Sequence, residues 1–242
     1  MIVVDGETGG APSPPAILTD GGIDVKGRMP WSSNATFLVE LCLDGATALG
    51  VYKPTRGERP LWDFPPGLHT REIAAWHLSE ALGWGLVPPT VRREDGPLGE
   101  GSVQLFVPAD FEQHYFTLYE SDQHHDALKA ICAFDILANS ADRKSGHCLL
   151  AADGRVYAVD NGLTFHHEFK LRTVIWEYAT ERVPAALLDD IARLMDDGLP
   201  AALCALLDPF ERDAILTRAA ALVKARRFPT DPSGRRYPWP LV

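Results

Sequence analysis

Cysteine is scarce. The chain has four in 242 residues (Cys42, Cys132, Cys148 and Cys204), with no Cys-x-x-Cys pair and no zinc-type spacing. That excludes a disulfide framework and a zinc ribbon, and it predicts a reduced compartment. No apolar run approaches the roughly 18 residues needed to cross a bilayer. The first residues carry Asp5 and Glu7 rather than a basic-then-apolar leader, so the sequence predicts a soluble, cytoplasmic protein without a transmembrane segment. Positive charge is also in deficit: 23 Lys and Arg stand against 33 Asp and Glu, a net charge of −10. This argues against nucleic-acid binding and strong attraction to anionic membranes, while leaving room for a local basic patch.

What is present suffices for a core: 46% of residues are hydrophobic and six are tryptophan. At this length the chain can form one unit or two small lobes. Residues 1–15, rich in Gly and Pro, are expected to lack stable order. The segment 16–107 reads as a β-rich small lobe, 108–225 as a helical large lobe, and 226–242 as a Pro- and Arg-rich tail. That tail either docks through Tyr237 and Trp239 or stays mobile.

Strands are expected at 23–26, 36–42 and 47–52, with Asp44-Gly45 turning between the last two. Between the first two lies a run ending Ser32-Ser33-Asn34, which suits either an ordinary turn or a nest of backbone N–H groups for an anion. Lys53 ends the third strand, and Glu72 lies nineteen residues on, in an apolar-periodic helix that Thr70 is placed to cap and Gly83 and Gly85 stop. Trp62 to Gly67, between them, is expected to pack under that helix. Two more strands, 87–91 and 102–107, follow, then a strongly apolar helix at 128–137 containing Asp135, expected to cap loop amides. Amphipathic helices at 185–195, 199–207 and 211–225 are core.

The run Phe134 to His166 organises the chain. Asp142 sits in a polar loop followed by Arg143 and Lys144, and His147 comes five residues after Asp142. Strands at 147–151 and 155–159 are joined by Asp153-Gly154, a strong hairpin signal, and Asp160-Asn161-Gly162 closes the second. The hairpin is expected to bring Asp142, His147 and Asp160 to one edge of a sheet. A loop aspartate, a ligand-type residue five positions on and an Asp-x-Gly after a hairpin have the layout of a kinase catalytic loop and metal loop.

Asp142-Arg143 and Asp160-Asn161-Gly162-Leu163 resemble the phosphatidylinositol 3-/4-kinase branch, and the Asp-Asn-Gly loop resembles the type II phosphatidylinositol 4-kinases. Over nearly its whole length the chain is similar to actinobacterial proteins described as phosphatidylinositol 3-/4-kinase-related. The resemblance implies an α+β, bilobal, protein-kinase-like or phosphatidylinositol-kinase-like fold. It also implies ATP with Mg²⁺ or Mn²⁺ as cofactors, and a hydroxyl acceptor as partner. Lys53 is then expected to contact the nucleotide phosphates with Glu72 holding it. Ser32, Ser33 and Asn34 would cover the phosphates, and Val107 would lie at the adenine edge. Asp160 becomes the metal ligand and Asp142 the group that orients the acceptor hydroxyl and takes its proton. Arg143 or Lys144 would offset charge on the γ-phosphate.

The sequence departs from that pattern at His147, where the family has asparagine. Imidazole suits Mn²⁺ or Zn²⁺ better than Mg²⁺, so His147 is expected to ligate Mn²⁺, to touch a phosphate, or to leave a single metal site. Asn139 offers an alternative amide or caps the loop. Lys170 and Arg172 suit an acidic head group or are simply solvated. His124-His125 and His166-His167 read as surface residues. The leading expectation is an ATP-dependent kinase acting on an inositol-like small molecule, a phosphoinositide or a protein. A nucleotide-binding pseudokinase is the alternative, and a metal-dependent hydrolase built on Asp142, His147 and Asp160 the third.

Overall fold

The computed structural model describes residues 3–4, 12–30 and 34–241. Ser32 and Ser33 lie outside the described residues. By its contacts the chain divides into two compact units, Met1–Ile73 with Pro88–Pro108, and Ala74–Val87 with Ala109–Val242.

The first unit is built on an antiparallel sheet. Its strands are β1 (Val3–Val4), β2 (Gly22–Arg28), β3 (Phe37–Leu43), β4 (Ala46–Pro54), β5 (Thr90–Arg93) and β6 (Gly101–Leu105). The order is β2-β3-β4-β6-β5, with β1 pairing β4. Strand β4 lies inside the sheet, and its burial alternates with period 2: Ala46, Ala48, Gly50, Tyr52 and Pro54 are covered, and Lys53 belongs to the half-exposed face. Gly101 sits opposite Pro54 in register. A Cβ there would meet the Lys53 carbonyl oxygen at 2.3 Å, so only glycine lets β6 run this close to the end of β4.

Helix α1 (Pro14–Asp20) begins inside the stretch expected to lack order. Proline is acceptable in the first turn, where its missing N–H costs nothing, and the Ser13 side chain caps the helix by accepting from the Ala16 N–H. Arg93 then donates to the carbonyls of Leu18 and Gly21 at its far end, while Ile17 and Leu18 are buried. A Pro-rich composition thus concealed a short capped helix.

Helix α2 (Leu68–Leu82) starts two residues before the expected Thr70 cap. Glu58 does the capping instead: its carboxylate accepts from the backbone N–H groups of Gly67 at 3.0 Å and His69 at 2.8 Å. Of the segment before α2, Phe64 is buried with the Arg71 guanidinium 5.4 Å from its ring centre, whereas Trp62 is 96% exposed.

The second unit has a small sheet of β7 (Ala109–Asp110), β8 (Cys148–Ala151) and β9 (Val156–Ala158), with helices α3 (Tyr115–Tyr119), α4 (His125–Ala138), α5 (Ala185–Asp197), α6 (Ala201–Cys204) and α7 (Pro209–Ala225). Apolar residues of α4, among them Leu128, Ile131, Phe134 and Leu137, are fully buried at the centre of its core. The β8–β9 turn uses Gly154 at φ +83°, as the Asp-Gly pair predicts. Beyond α7 the tail is docked on this unit. Phe228 is buried, the Arg236 carbonyl accepts from Thr173 N–H and the Trp176 indole, and the Leu241 carbonyl accepts from Ser145 N–H. Trp239, expected to anchor it, is 87% exposed. No helix among the described residues is long and apolar enough to cross a membrane.

Candidate active site

In the first unit, Lys53 Nζ on β4 forms an ion pair with Glu72 Oε1 on α2. The Glu72 side chain is almost fully buried, and that of Lys53 is about one-fifth exposed. A carboxylate so withdrawn from water would be costly without a partner, so this pair is a built feature rather than two solvated surface groups. Asn34 Oδ1 accepts from the Arg59 backbone N–H at 3.1 Å, so its side-chain oxygen holds a neighbouring loop. Val107 is buried just after β6.

In the second unit, α4 delivers the loop 139–147. Asn139 ends the helix in the left-handed conformation, φ 53°, which asparagine tolerates better than most residues. Its amide donates to the carbonyls of His166 and Glu168, and its Oδ1 accepts from Lys170 N–H. Asn139 is therefore a fixed clamp on the segment 166–170, with both ends of its amide engaged.

Arg143 corrects an expectation. Its side chain is fully buried and cannot reach a phosphate. It lies against both oxygens of Asp135, at 3.0 and 3.2 Å from Nε, and donates to the Val159 carbonyl and to Asn161 Oδ1, each at 2.6 Å. Asp135 also accepts from the Thr173 hydroxyl at 3.1 Å, so its partner is this guanidinium rather than loop amides. Burial works against the charge on Arg143, but Asp135 outweighs it and holds the guanidinium above its ordinary range. The network ties α4, the loop, the end of β9 and the segment around Thr173 into one piece. Asp160 lies between two of its anchors, Val159 and Asn161.

Asp160 adopts φ +58°, a conformation that costs a non-glycine residue about 1 kcal/mol. Its side chain is half exposed. Asp142 Oδ2 lies 3.2 Å from Lys144 Nζ. Burial pushes the Asp142 carboxyl up, Lys144 pulls it down, Asp160 adds to the rise and Arg172 opposes it. Lys144, Asp160 and the exposed Arg172 thus all act electrostatically on Asp142. Lys170 is mostly covered and lies 3.9 Å from Glu168.

His147 is close to Asp160, as the hairpin predicts. Nδ1 accepts from the Lys144 backbone N–H at 3.4 Å, which assigns the ring hydrogen to Nε2. That nitrogen points at Asp160 Oδ2, 3.3 Å away. Held so, the His147 ring faces the Asp160 carboxylate. Among the described residues no group of three His, Cys, Asp or Glu is placed to hold a metal. Two surface expectations divide: His124 is buried and His167 is exposed. The Asp135 partnership was missed for a physical reason, since a buried aspartate in a helix announces a partner without naming it.

No family model matches the chain. It is 40% identical to Protein Rv2133c of Mycobacterium tuberculosis over an alignment of 262 residues, covering 93% of this chain and 94% of that protein. The chain belongs to the family of Rv2133c. Among solved structures, hydra Fam20 with sugar matches 87% of this chain and 86% of its own, with TM-score 0.55 and 15% identity. The Helicobacter pylori proinflammatory kinase CtkA matches 87% and 94%, with TM-score 0.49 and 13% identity. The likeness to Fam20 shows the fold of this chain, which is α+β and kinase-like.

Proposed function

We infer that the protein is an ATP-dependent phosphotransferase that moves the γ-phosphate to a hydroxyl. The observation that carries this reading is the buried Lys53–Glu72 ion pair. A strand lysine fixed by a helix carboxylate is the arrangement that holds nucleotide phosphates in kinases. Taken apart from the Asp142–Asp160 block, the sequence leaves both as ordinary surface charges.

Each unit is assigned its part. Lys53, held by Glu72, takes phosphate oxygens. The chain order gives the Val107 backbone the adenine edge and leaves the turn around Asn34 beside the phosphates. In the second unit, Asp160 is the metal residue. Its donor chemistry fits a hard cation, because Mg²⁺ needs only one or two carboxylates and completes its shell with substrate phosphate and water. A bound Mg²⁺ would neutralise charge on the phosphates. Asp142 orients the acceptor hydroxyl and takes its proton as the new oxygen–phosphorus bond forms and the bond to ADP breaks. Its upward-shifted carboxyl suits that duty. Lys144 pairs with Asp142 now and is assigned to phosphate charge during transfer, and Arg172 lies within electrostatic reach of Asp142 to meet an anionic acceptor group.

The Asp160-Asn161-Gly162 resemblance to phosphatidylinositol kinases supports inositol-like compounds as first trial acceptors. The test is transfer of labelled γ-phosphate to myo-inositol, to phosphatidylinositol vesicles and to the protein itself. Label in any product, lost in Asp142→Asn, supports the reading. ATP binding without transfer, and indifferent to Asp142→Asn, supports instead a nucleotide-binding pseudokinase, the reading that a histidine at the usual asparagine position favours.

A further inference from the structure

We propose that the C-terminal segment 226–241 is a strap that positions the loop carrying Asp142 and Lys144, so that the active arrangement is incomplete without it. The inference concerns the site proposed above and relies on the phosphotransferase reading only where turnover is measured.

The strap touches the site by two routes. At its far end, the Leu241 carbonyl accepts from the Ser145 N–H at 2.8 Å. Ser145 is fully buried, and its hydroxyl already lacks a hydrogen-bond partner among the described residues. Its amide belongs to the short turn Ser145–His147, whose own bonds run from the His147 N–H to the Lys144 carbonyl and from the Cys148 N–H to the Ser145 carbonyl. Without Leu241 the Ser145 amide would be a second orphan in the same buried spot. A buried unpaired donor costs about 1–3 kcal/mol, enough to make the turn rearrange. Lys144 is its immediate neighbour and pairs with Asp142.

The second route runs through Arg236. Its carbonyl accepts from the Thr173 N–H at 3.2 Å and from the Trp176 indole at 3.0 Å. Its guanidinium lies 4.5 Å from the centre of the Phe169 ring. Thr173 in turn donates to Asp135, the carboxylate that holds Arg143. The segment bearing Arg172 is therefore pinned between the strap on one side and the buried network on the other. Asp231 shapes the bend, accepting from Ser233 and Arg236 N–H groups. Few apolar residues bury the strap beyond Phe228, and Tyr237, Trp239 and Leu241 are exposed. It is held chiefly by these hydrogen bonds.

The test uses two variants of the full chain, one lacking residues 240–242 and one carrying Trp176→Phe, which keeps an aromatic ring but loses the indole N–H. Hydrogen exchange is followed amide by amide alongside ATP turnover. In the deletion, the Ser145 amide is expected to exchange about tenfold faster or more, the ratio that one lost buried hydrogen bond produces. Core amides of Ile131 and Phe134 are expected to stay unchanged. Turnover number falls about tenfold with KM for ATP unchanged, and the unchanged core amides separate this from general destabilisation. Trp176→Phe is expected to speed exchange at Thr173 and decides the matter if the deletion does not fold. Unchanged exchange at Ser145 and Thr173 overturns the strap. So does unchanged or raised turnover in the deletion, a rise meaning that the segment covers the site rather than positioning it. If wild-type protein consumes no ATP, the phosphotransferase reading fails and exchange alone judges the strap.

Discussion

At the scale of single residues, the second unit separates groups assigned to the proposed chemistry from groups that hold them. Arg143 follows Asp142 directly, yet its guanidinium is spent on Asp135, Val159 and Asn161. Arg143→Ala leaves Asp135 a buried unpaired carboxylate, which typically costs about 3–5 kcal/mol. Urea unfolding should show that loss. Arg143→Lys should recover only part of it, because an ammonium cannot reproduce the fork. His147 permits a sharper discrimination. Asp160 is the proposed metal residue and His147 its hydrogen-bonding neighbour, so His147→Ala should weaken metal affinity about 10–100-fold. A larger loss marks direct ligation, and an unchanged affinity contradicts the pairing. Metal titration of turnover separates these outcomes. Sequence could place His147 and Asp160 together, because a hairpin returns the chain; it could not tell which ring nitrogen faces the carboxylate, which Lys144 N–H decides.

At the scale of elements, Glu58 shows how one side chain sets the start of α2 and therefore the placement of Glu72. Burial alone would raise its carboxyl, but the His69 ring and the backbone N–H groups of His69, Leu68 and Gly67 outweigh it and hold the carboxyl at about 2. A carboxyl depressed from an unfolded value of 4.5 adds stability that is fully present above pH 4.5 and is lost as pH falls toward 2. Glu58→Gln is thus expected to lower stability by about 1–2 kcal/mol at pH 7, discounted for partial exposure. Its melting temperature should converge with wild type near pH 2, whereas a constant gap would contradict the account. Strand β4 makes a second case: Gly101→Ala forces a Cβ onto the Lys53 carbonyl and should destabilise the first unit. The strands and the main helices were readable because alternation and 3–4 periodicity are properties of local sequence. Helix α1 and the true α2 cap were not, since each rests on a partner far along the chain, Arg93 in one case and Glu58 in the other.

At the scale of the whole molecule, two compact units carry separate pieces of the proposed chemistry, and their readability differs. Lys53, Glu72, Asp142 and Asp160 stand out in sequence through spacing, and the ion pair in the first unit and the hairpin in the second follow from it. The tail was open between docking and mobility because its aromatic residues suggested one anchor while backbone carbonyls supply the real one. All four cysteines are free. Burial raises the Cys132 thiol and pushes Cys148 up to about 12, so of the four cysteines the exposed Cys42 should react fastest with a thiol reagent. The central claim is phosphoryl transfer, and the most direct measurement is ADP formation from ATP and Mg²⁺ by the purified protein, beside Asp160→Ala and Lys53→Met. The account predicts steady turnover in wild type, with a loss of at least about a hundredfold in each variant. Absence of ADP in wild type with every metal and trial acceptor, or turnover untouched by Asp160→Ala, would contradict it.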